Sequence, residues 1–283
     1  MRAPSTLAAW RAPFADSRLV GRIALVGAAA FGYALILTPI IFVCWLSFFS
    51  NELVTFPPRG YTLRWFAHIF DQNNFVSGFI TSLQVGIAAV IGGLLLGVPA
   101  SLVLARRKFP GREALNTLLV LPLVVPGVVA GTAIYVFQIE IELATELPLL
   151  GSRAGLILAH IMITIPWTVR LLTASLSGFD RSIEEAAQNL GATPLQSFLK
   201  VTLPVIKPGM VAAALFSFII SFGNLEMTLF LVAPGQTTLP IAILQYLQWR
   251  IDPTIAAVSL LQILLIGVSM LITDRYVKLT RVL

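Results

Sequence analysis

Few side chains in this sequence could do chemistry, and the most unusual of them lies inside a long apolar stretch. Glu226 is the one carboxylate well inside such a stretch, and Asn224 precedes it by two residues. An ionisable group at the centre of a membrane helix costs about 2.5–3.5 kcal/mol, so we expect a functional reason for it. A carboxylate there could help a cation to shed its water. We predict that Asn224 and Glu226 line a solute pathway; the alternative is that Glu226 pairs with a partner subunit or faces an aqueous vestibule.

Other catalytic or ligand-binding chemistry finds little support in the residue types. His160 has no second histidine or cysteine nearby, and Cys44 is the single cysteine, so we predict no metal site and no internal disulfide. We expect His160 to make a hydrogen bond between helices. A nucleotide-binding P-loop needs a Gly-Lys pair. None of the lysines follows a glycine: Lys108, Lys200, Lys207 and Lys278. We therefore expect no catalytic residue and no cofactor in this chain.

The elements that must position these residues are membrane-spanning helices. The chain of 283 residues is 57% hydrophobic and only 11% charged, whereas soluble domains carry about 25% charged residues. This composition excludes a soluble enzyme, a disordered chain and a disulfide scaffold. Because a span needs about 20 apolar residues, the sequence predicts an all-α integral membrane protein with an arm at residues 1–22 and one domain at 23–283. The predicted spans are Ile23–Phe49, Ser77–Ala105, Leu115–Phe137, Gly155–Leu172, Met210–Val232 and Thr254–Thr273.

The placement of lysine and arginine predicts the orientation of these spans. Of the 19 basic residues, 15 fall on the side that holds both termini. The other side holds only Arg59, Arg64, Arg153 and Arg250. Because cytoplasmic loops carry the excess of basic residues, both termini are predicted to be cytoplasmic. The net charge of +6 then reflects membrane topology, and we expect no nucleic-acid partner.

A long loop on the basic side, residues 177–208, carries the strongest local signals. Loops between helices of a bundle usually have two to eight residues, so a structured loop of this length needs a purpose. Ser182 followed by Glu185 has the spacing of a capping box at a helix N-terminus. Gly191 is the expected left-handed residue after that helix. The loop is therefore predicted to contain a short, well-terminated helix at the membrane surface.

A second short helix follows in the same loop. Thr193 is the predicted N-cap, with Pro194 at the first helical position and Gln196 completing a capping box. Leu203-Pro204 is expected to close this helix. The two helices together predict a rigid helix–turn–helix that a partner protein could press against.

The spacing of residues in this loop resembles the EAA motif of ABC-importer permease subunits, E-A-A-x3-G-x9-I-x-L-P. The matching residues are Glu185, Ala186, Ala187, Gly191, Val201, Leu203 and Pro204, with valine in place of isoleucine at position 201. The resemblance covers roughly residues 20–280. Residues 100–131 and 229–247 look most like the spermidine/putrescine-type permeases. It implies the six-helix fold of type I ABC importers, with a cytoplasmic coupling helix whose ATPase-coupling residues are Glu184, Glu185, Ala186, Ala187, Gly191, Leu203 and Pro204.

The resemblance also implies a location in a bacterial inner membrane, the partners and the function. A cytosolic ABC ATPase dimer would bind ATP and magnesium, and its closure would move the coupling helix. A second permease subunit, either a paralogue or an identical copy, would complete the pathway, and an extracytoplasmic solute-binding protein would deliver the solute. The chain itself would be a permease rather than an enzyme. The first expectation for the solute is a polyamine such as spermidine or putrescine.

Two alternatives remain open at this point. The same machinery could carry another small solute, such as iron(III), an amino-acid derivative or a phosphonate. A secondary transporter would work without an ATPase, but it would usually show internal repeats or more paired ionisable residues at membrane depth. Only Glu226 is firmly placed at that depth, which favours the ATP-driven importer.

Overall fold

The computed structural model describes residues 12–53 and 55–277, and these residues form a helical bundle. Residues 1–11 of the predicted arm lie outside the described part. The helices are α1 (Ala12–Leu46), α2 (Arg64–Asp71), α3 (Asn73–Arg106), α4 (Arg112–Val120), α5 (Gly127–Thr145), α6 (Arg153–Ser177), α7 (Ser182–Asn189), α8 (Pro194–Ser197), α9 (Leu203–Phe222), α10 (Leu239–Trp249) and α11 (Thr254–Val277).

The described residues contain six helices long and apolar enough to cross a membrane, which confirms the predicted number. They are Leu19–Leu46, Asn73–Arg106, Gly127–Thr145, Arg153–Ser177, Pro194–Phe222 and Thr254–Arg275. The first of them continues a helix that already includes Ala12, so residues 12–22 of the predicted arm are helical and the span itself begins at Leu19. The bounds of the third and fifth spans differ most from the prediction.

The third predicted span, Leu115–Phe137, is not one helix. The structure divides it into α4, a 3-10 turn at Leu121–Leu123 and α5. Pro122 lies in the turn, and Pro126 is the residue before α5. Each proline lacks a backbone N–H and disfavours helical geometry in the residue before it. Two prolines four residues apart therefore end one helix and start the next.

The fifth predicted span, Met210–Val232, was wrong at both ends. Leu203-Pro204 does not close a helix; α8 continues through a π-helical turn, Phe198–Thr202, directly into α9. Pro204 is tolerated because the π-helical turn directly before it interrupts the regular hydrogen-bond pattern at the point where proline has no N–H to donate. At the other end α9 stops at Phe222, and a broken segment with a 3-10 turn at Thr228–Phe230 follows. The short helix α10 beyond this segment was not predicted.

The centre of the bundle is formed by α3, α6 and α9, which pack closely against one another. Glycines of α3 make this approach possible. A Cβ atom on Gly93 would lie 2.6 Å from Thr164 Oγ1 of α6, and one on Gly97 would lie 2.5 Å from Thr168 Cγ2. Lipid tails are as apolar as the helix surfaces, so no hydrophobic force drives helices together inside a bilayer. Close packing of small residues is therefore a main source of stability. The glycine seam therefore fixes the position of α6 relative to α3.

We predict that Gly97→Val destabilises the protein, because its side chain would overlap Thr168. Overpacking of this kind costs roughly 1–3 kcal/mol. The matched control is Gly267→Val, which also changes a glycine within a membrane helix but has no atom within 4 Å of the new Cβ. Thermal unfolding of the purified protein in detergent measures both. Equal melting temperatures for the two variants would contradict the role of the seam.

Candidate functional site

Helix α7, which carries the EAA-like residues, begins differently from the prediction. The Ser182 backbone N–H donates to Asp180 Oδ1 at 2.9 Å. The predicted capping box of Ser182 and Glu185 is wrong, because Ser182 is already helical and its side chain makes no cap. Asp180 supplies the acceptor instead. The hydrogen bonds from the backbone and side chain of Ser182 lower the pKa of the Asp180 carboxyl, which keeps it charged beside the start of the helix.

The turn after α7 and the start of α8 follow the predicted geometry. Gly191 has φ +93°, which is the left-handed conformation expected there. The Thr193 backbone N–H donates to Gln196 Oε1 at 3.0 Å. The Gln196 backbone N–H donates to Thr193 Oγ1 at 3.2 Å. This reciprocal pair is a capping box, so the two short helices are joined by a turn with one defined conformation.

Glu184 faces the interior of the protein and connects α7 to the membrane helices. It is 6% exposed. Its Oε1 accepts a hydrogen bond of 2.5 Å from an Nη of Arg106, at the end of α3. The same arginine also donates to Thr202 Oγ1 in the π-helical turn, at 3.2 Å. The Ser197 hydroxyl donates to the Glu184 backbone carbonyl at 3.4 Å. This ion pair between a buried glutamate and a half-buried arginine thus joins α3, α7 and the segment before α9.

The remaining EAA-like residues divide between the surface and the interior. Glu185, Ala186 and Gly191 are exposed, and Ala187 is half-buried. Leu203 is half-buried and Pro204 exposed in the first turn of α9, beyond the π-helical turn. Large apolar side chains on α7, α8 and the adjoining turns are also exposed: Ile183 50%, Leu190 90%, Leu195 66% and Leu199 48%. An apolar surface of this kind is typical of a docking site.

The break after α9 contains the two predicted pathway residues, and they have different surroundings. Asn224 Oδ1 accepts hydrogen bonds from the backbone N–H and the hydroxyl of Thr228, at 3.2 and 3.1 Å. The amide of Asn224 therefore holds the turn together. Glu226 is exposed, and its side chain lies over Gly127 at the start of α5, where a Cβ would overlap the carboxylate. Of the two residues, Glu226 is the exposed one, and Asn224 is half-buried.

His160 makes the predicted interhelical hydrogen bonds, and both go to residues around this break. Its Nδ1 lies 2.7 Å from Ser221 Oγ, and its Nε2 lies 3.1 Å from Thr228 Oγ1. Among the described residues, no group of three or more His, Cys, Asp or Glu side chains is arranged to hold a metal ion. His160, Ser221 and Thr228 are instead connected to one another by hydrogen bonds across helices.

Three residues around α7 were not among the functional candidates predicted from the sequence. Arg106 is one of the 15 basic residues that predict the orientation, and its position in the sequence does not indicate that its partner is Glu184. Asp180 precedes the predicted cap by two residues, a spacing that is itself a signal for a capping side chain. Leu190 is apolar and precedes Gly191 at the end of a short helix in a long loop. Loops run over the protein surface, so the position indicates an exposed apolar side chain. Arg106 and Asp180 lie beside the EAA-like segment, and Leu190 lies within it.

Comparisons with known sequences agree with this arrangement. A family model described as "Binding-protein-dependent transport system inner membrane component" matches residues 93–281. The chain is 30% identical over 238 residues to the putrescine transport system permease protein PotI of Escherichia coli (strain K12), covering 84% of each chain. It is 25% identical over 247 residues to the spermidine/putrescine transport system permease protein PotC of Haemophilus influenzae, covering 86% of this chain and 93% of the relative.

Solved structures of ABC importers share the fold. A bacterial ABC transporter involved in the import of alginate matches with a TM-score of 0.70 and 16% identity, covering 98% of this chain and 99% of that chain. The MetNI methionine ABC transporter matches with a TM-score of 0.59 and 22% identity, covering 72% of this chain and 95% of that chain. The expected fold of type I ABC-importer permeases is thereby confirmed. The family match and the related sequences together show that the chain belongs to the binding-protein-dependent transport system inner membrane components.

Proposed function

We propose that this chain is a permease subunit of an ATP-driven importer for a polyamine such as putrescine or spermidine. The observation that carries the proposal is the construction of α7: an exposed helix with a small-residue surface, tied by a buried ion pair to a membrane span. The names of the related permeases support the solute class. A cytosolic ATPase would bind ATP and magnesium, because this chain contains no P-loop.

The distribution of charge supports a cytoplasmic location for α7. Arg106 and Arg112 lie at the same end of the bundle as α7, since Arg106 pairs with Glu184 and the side chain of Arg112 donates to the Leu104 carbonyl at 2.7 Å. The opposite end carries the acidic residues of the connecting loops, Glu52, Asp71, Glu142, Glu146 and Asp252. By the positive-inside rule, this distribution of basic residues supports a cytoplasmic α7 and an outer position for the opposite end, where a solute-binding protein would dock.

The surface around α7 has the properties needed to receive a cytosolic ATPase. Leu190 projects from the end of the helix and is 90% exposed, so its apolar area is available to a partner. Glu185 is solvent-exposed and forms an exposed ion pair with Arg181, at 3.5 Å. An exposed ion pair contributes little to stability, so Glu185 can exchange Arg181 for a partner's basic group at little cost. The apolar residue would anchor the ATPase, and the charge would orient it.

Glu226 is the residue through which this chain would select a cation. Position 226 follows the end of α9 at Phe222, and α9 has 20 residues, about 30 Å of helix from the basic end. Because the hydrocarbon core of a bilayer is about 30 Å thick, the carboxylate would lie toward the outer side of the membrane. It remains exposed in the single chain, on a side that a second permease subunit could enclose. A diamine passing between the two subunits would replace part of its lost hydration with this negative charge.

We predict that Gly191→Val uncouples ATP hydrolysis from transport. A left-handed backbone costs an L-residue roughly 1–2 kcal/mol, and a β-branched residue fits poorly, so the turn after α7 would change shape. The matched control is Gly111→Val at the same end of the bundle, where φ is +82° and no atom lies within 4 Å of the added Cβ. Putrescine uptake and solute-stimulated ATP hydrolysis in proteoliposomes measure coupling. Wild-type coupling in Gly191→Val, or equal losses in both variants, would contradict the assignment of α7.

We also predict that Glu226→Gln lowers putrescine uptake while the complex stays assembled, because the change removes a charge and preserves shape. The control is Glu140→Gln, an identical change at an exposed position. Glu140 lies near the C-terminal end of α5, whereas Glu226 lies against its N-terminal end. Uptake of labelled putrescine, compared with the amount of assembled complex, measures the effect. Unchanged uptake in Glu226→Gln would contradict the pathway role. Loss of assembly would instead indicate that Glu226 pairs with a partner subunit.

A further inference from the structure

His160 joins two separate parts of the chain at the break after α9. The side chain is 1% exposed and belongs to α6. One of its ring nitrogens contacts Ser221, in the last turn of α9, and the other contacts Thr228, at the start of the 3-10 turn. Residues 223–227, which are the irregular part of the break, lie between these two contacts. A single imidazole therefore holds both ends of the irregular segment against α6.

The hydrogen-bond chemistry favours one arrangement of protons in this network. Asn224 Oδ1 can only accept, so the Thr228 hydroxyl donates its proton to it. The oxygen of Thr228 must then accept from Nε2–H of His160. The other ring nitrogen, Nδ1, is left as an acceptor for the Ser221 hydroxyl. Every partner is satisfied when His160 is neutral with its proton on Nε2, so the network defines a single geometry for the break.

This geometry determines where the Glu226 carboxylate lies. Glu226 stands between Asn224 and Thr228, which are hydrogen-bonded to each other through both the backbone and the side chain of Thr228. On its other side the carboxylate lies against Gly127. The next residue, Met227, packs its backbone against Gly131, where a Cβ would lie 2.9 Å from Met227 Cα. The backbone that carries Glu226 is therefore held between the His160 network and the first turns of α5, and the carboxylate lies at the Gly127 end of α5.

We propose that His160 is a positioning residue for solute recognition: it fixes the break so that Glu226 presents its carboxylate to a cationic solute. This inference rests on the proposed function, in which Glu226 meets the solute. His160 does not touch the solute itself. A histidine that served only to fill the core would stabilise the bundle. The effect of replacing it would then be the same whether or not a carboxylate is present at position 226.

The test is a double-mutant cycle between His160→Leu and Glu226→Gln in the complete transporter, with putrescine uptake as the readout. His160→Leu removes both hydrogen bonds and introduces an apolar side chain of similar size. It is expected to raise the KM for putrescine roughly tenfold, in the range of coupled residues, with the KM for ATP unchanged. In the Glu226→Gln background the same change should alter the KM for putrescine by less than about twofold. His160→Gln retains an N–H donor for Thr228 and should recover part of the affinity.

The matched control is Thr164→Val, also buried in α6 and one turn further along. Its hydroxyl contacts the Ala89 carbonyl of α3 at 3.1 Å and has no contact with the break. Its effects should add to those of Glu226→Gln. If His160→Leu does not accumulate in the membrane, Thr228→Val removes the central hydroxyl of the network and gives the same comparison.

The possible outcomes separate this inference from the proposed function. A lowered uptake in Glu226→Gln, with His160→Leu acting equally in both backgrounds, would overturn the positioning role and leave the pathway role of Glu226 intact. Unchanged uptake in Glu226→Gln alone would overturn both. A non-additive cycle with additive Thr164→Val supports the inference.

Discussion

The ion pair between Arg106 and Glu184 is the contact on which the arrangement of the other functional elements depends. The two side chains are 25% and 8% exposed, so neither charge is well solvated. Removing one partner of such a pair typically costs about 3–5 kcal/mol, because the other charge remains buried alone. Exposed pairs contribute at most about 1 kcal/mol. Separating α7 from α3 would therefore leave Glu184 buried without its partner. In the proposed function, a movement of α7 would for this reason be passed to a membrane span.

The same principle of close contact continues from α3 toward the break. The glycines of α3 bring Thr164 and Thr168 of α6 against its backbone, and packed helices of this kind move together. His160, further along α6, joins the ends of the break that carries Glu226. From His160 to the basic end of α6 is about 25 Å at 1.5 Å per residue. The contacts thus form a continuous packed route between the surface of α7 and the carboxylate.

The number of spans and the turn at Gly191 could be predicted because hydrophobic length and a left-handed glycine are local properties of the sequence. The helix breaks were harder to place. Pro204 looks like a terminator, yet a π-helical turn lets the chain pass through it, and this depends on the neighbouring helices. The inward orientation of Glu184 could not be predicted either, since its partner, Arg106, is 78 residues away. Adjacent glutamates at 184 and 185 have opposite surroundings only once the bundle has formed.

The central claim is that Arg106 and Glu184 stay together while α7 drives the spans. It can be tested in a variant with Cys44 replaced by serine and cysteines at positions 106 and 184, bridged by a bifunctional thiol reagent. Without the bridge, ATP hydrolysis should continue with little putrescine uptake, because the connection between α7 and α3 is lost. The bridge should restore uptake per ATP hydrolysed. Full coupling without the bridge, or a bridge that blocks transport, would contradict the account.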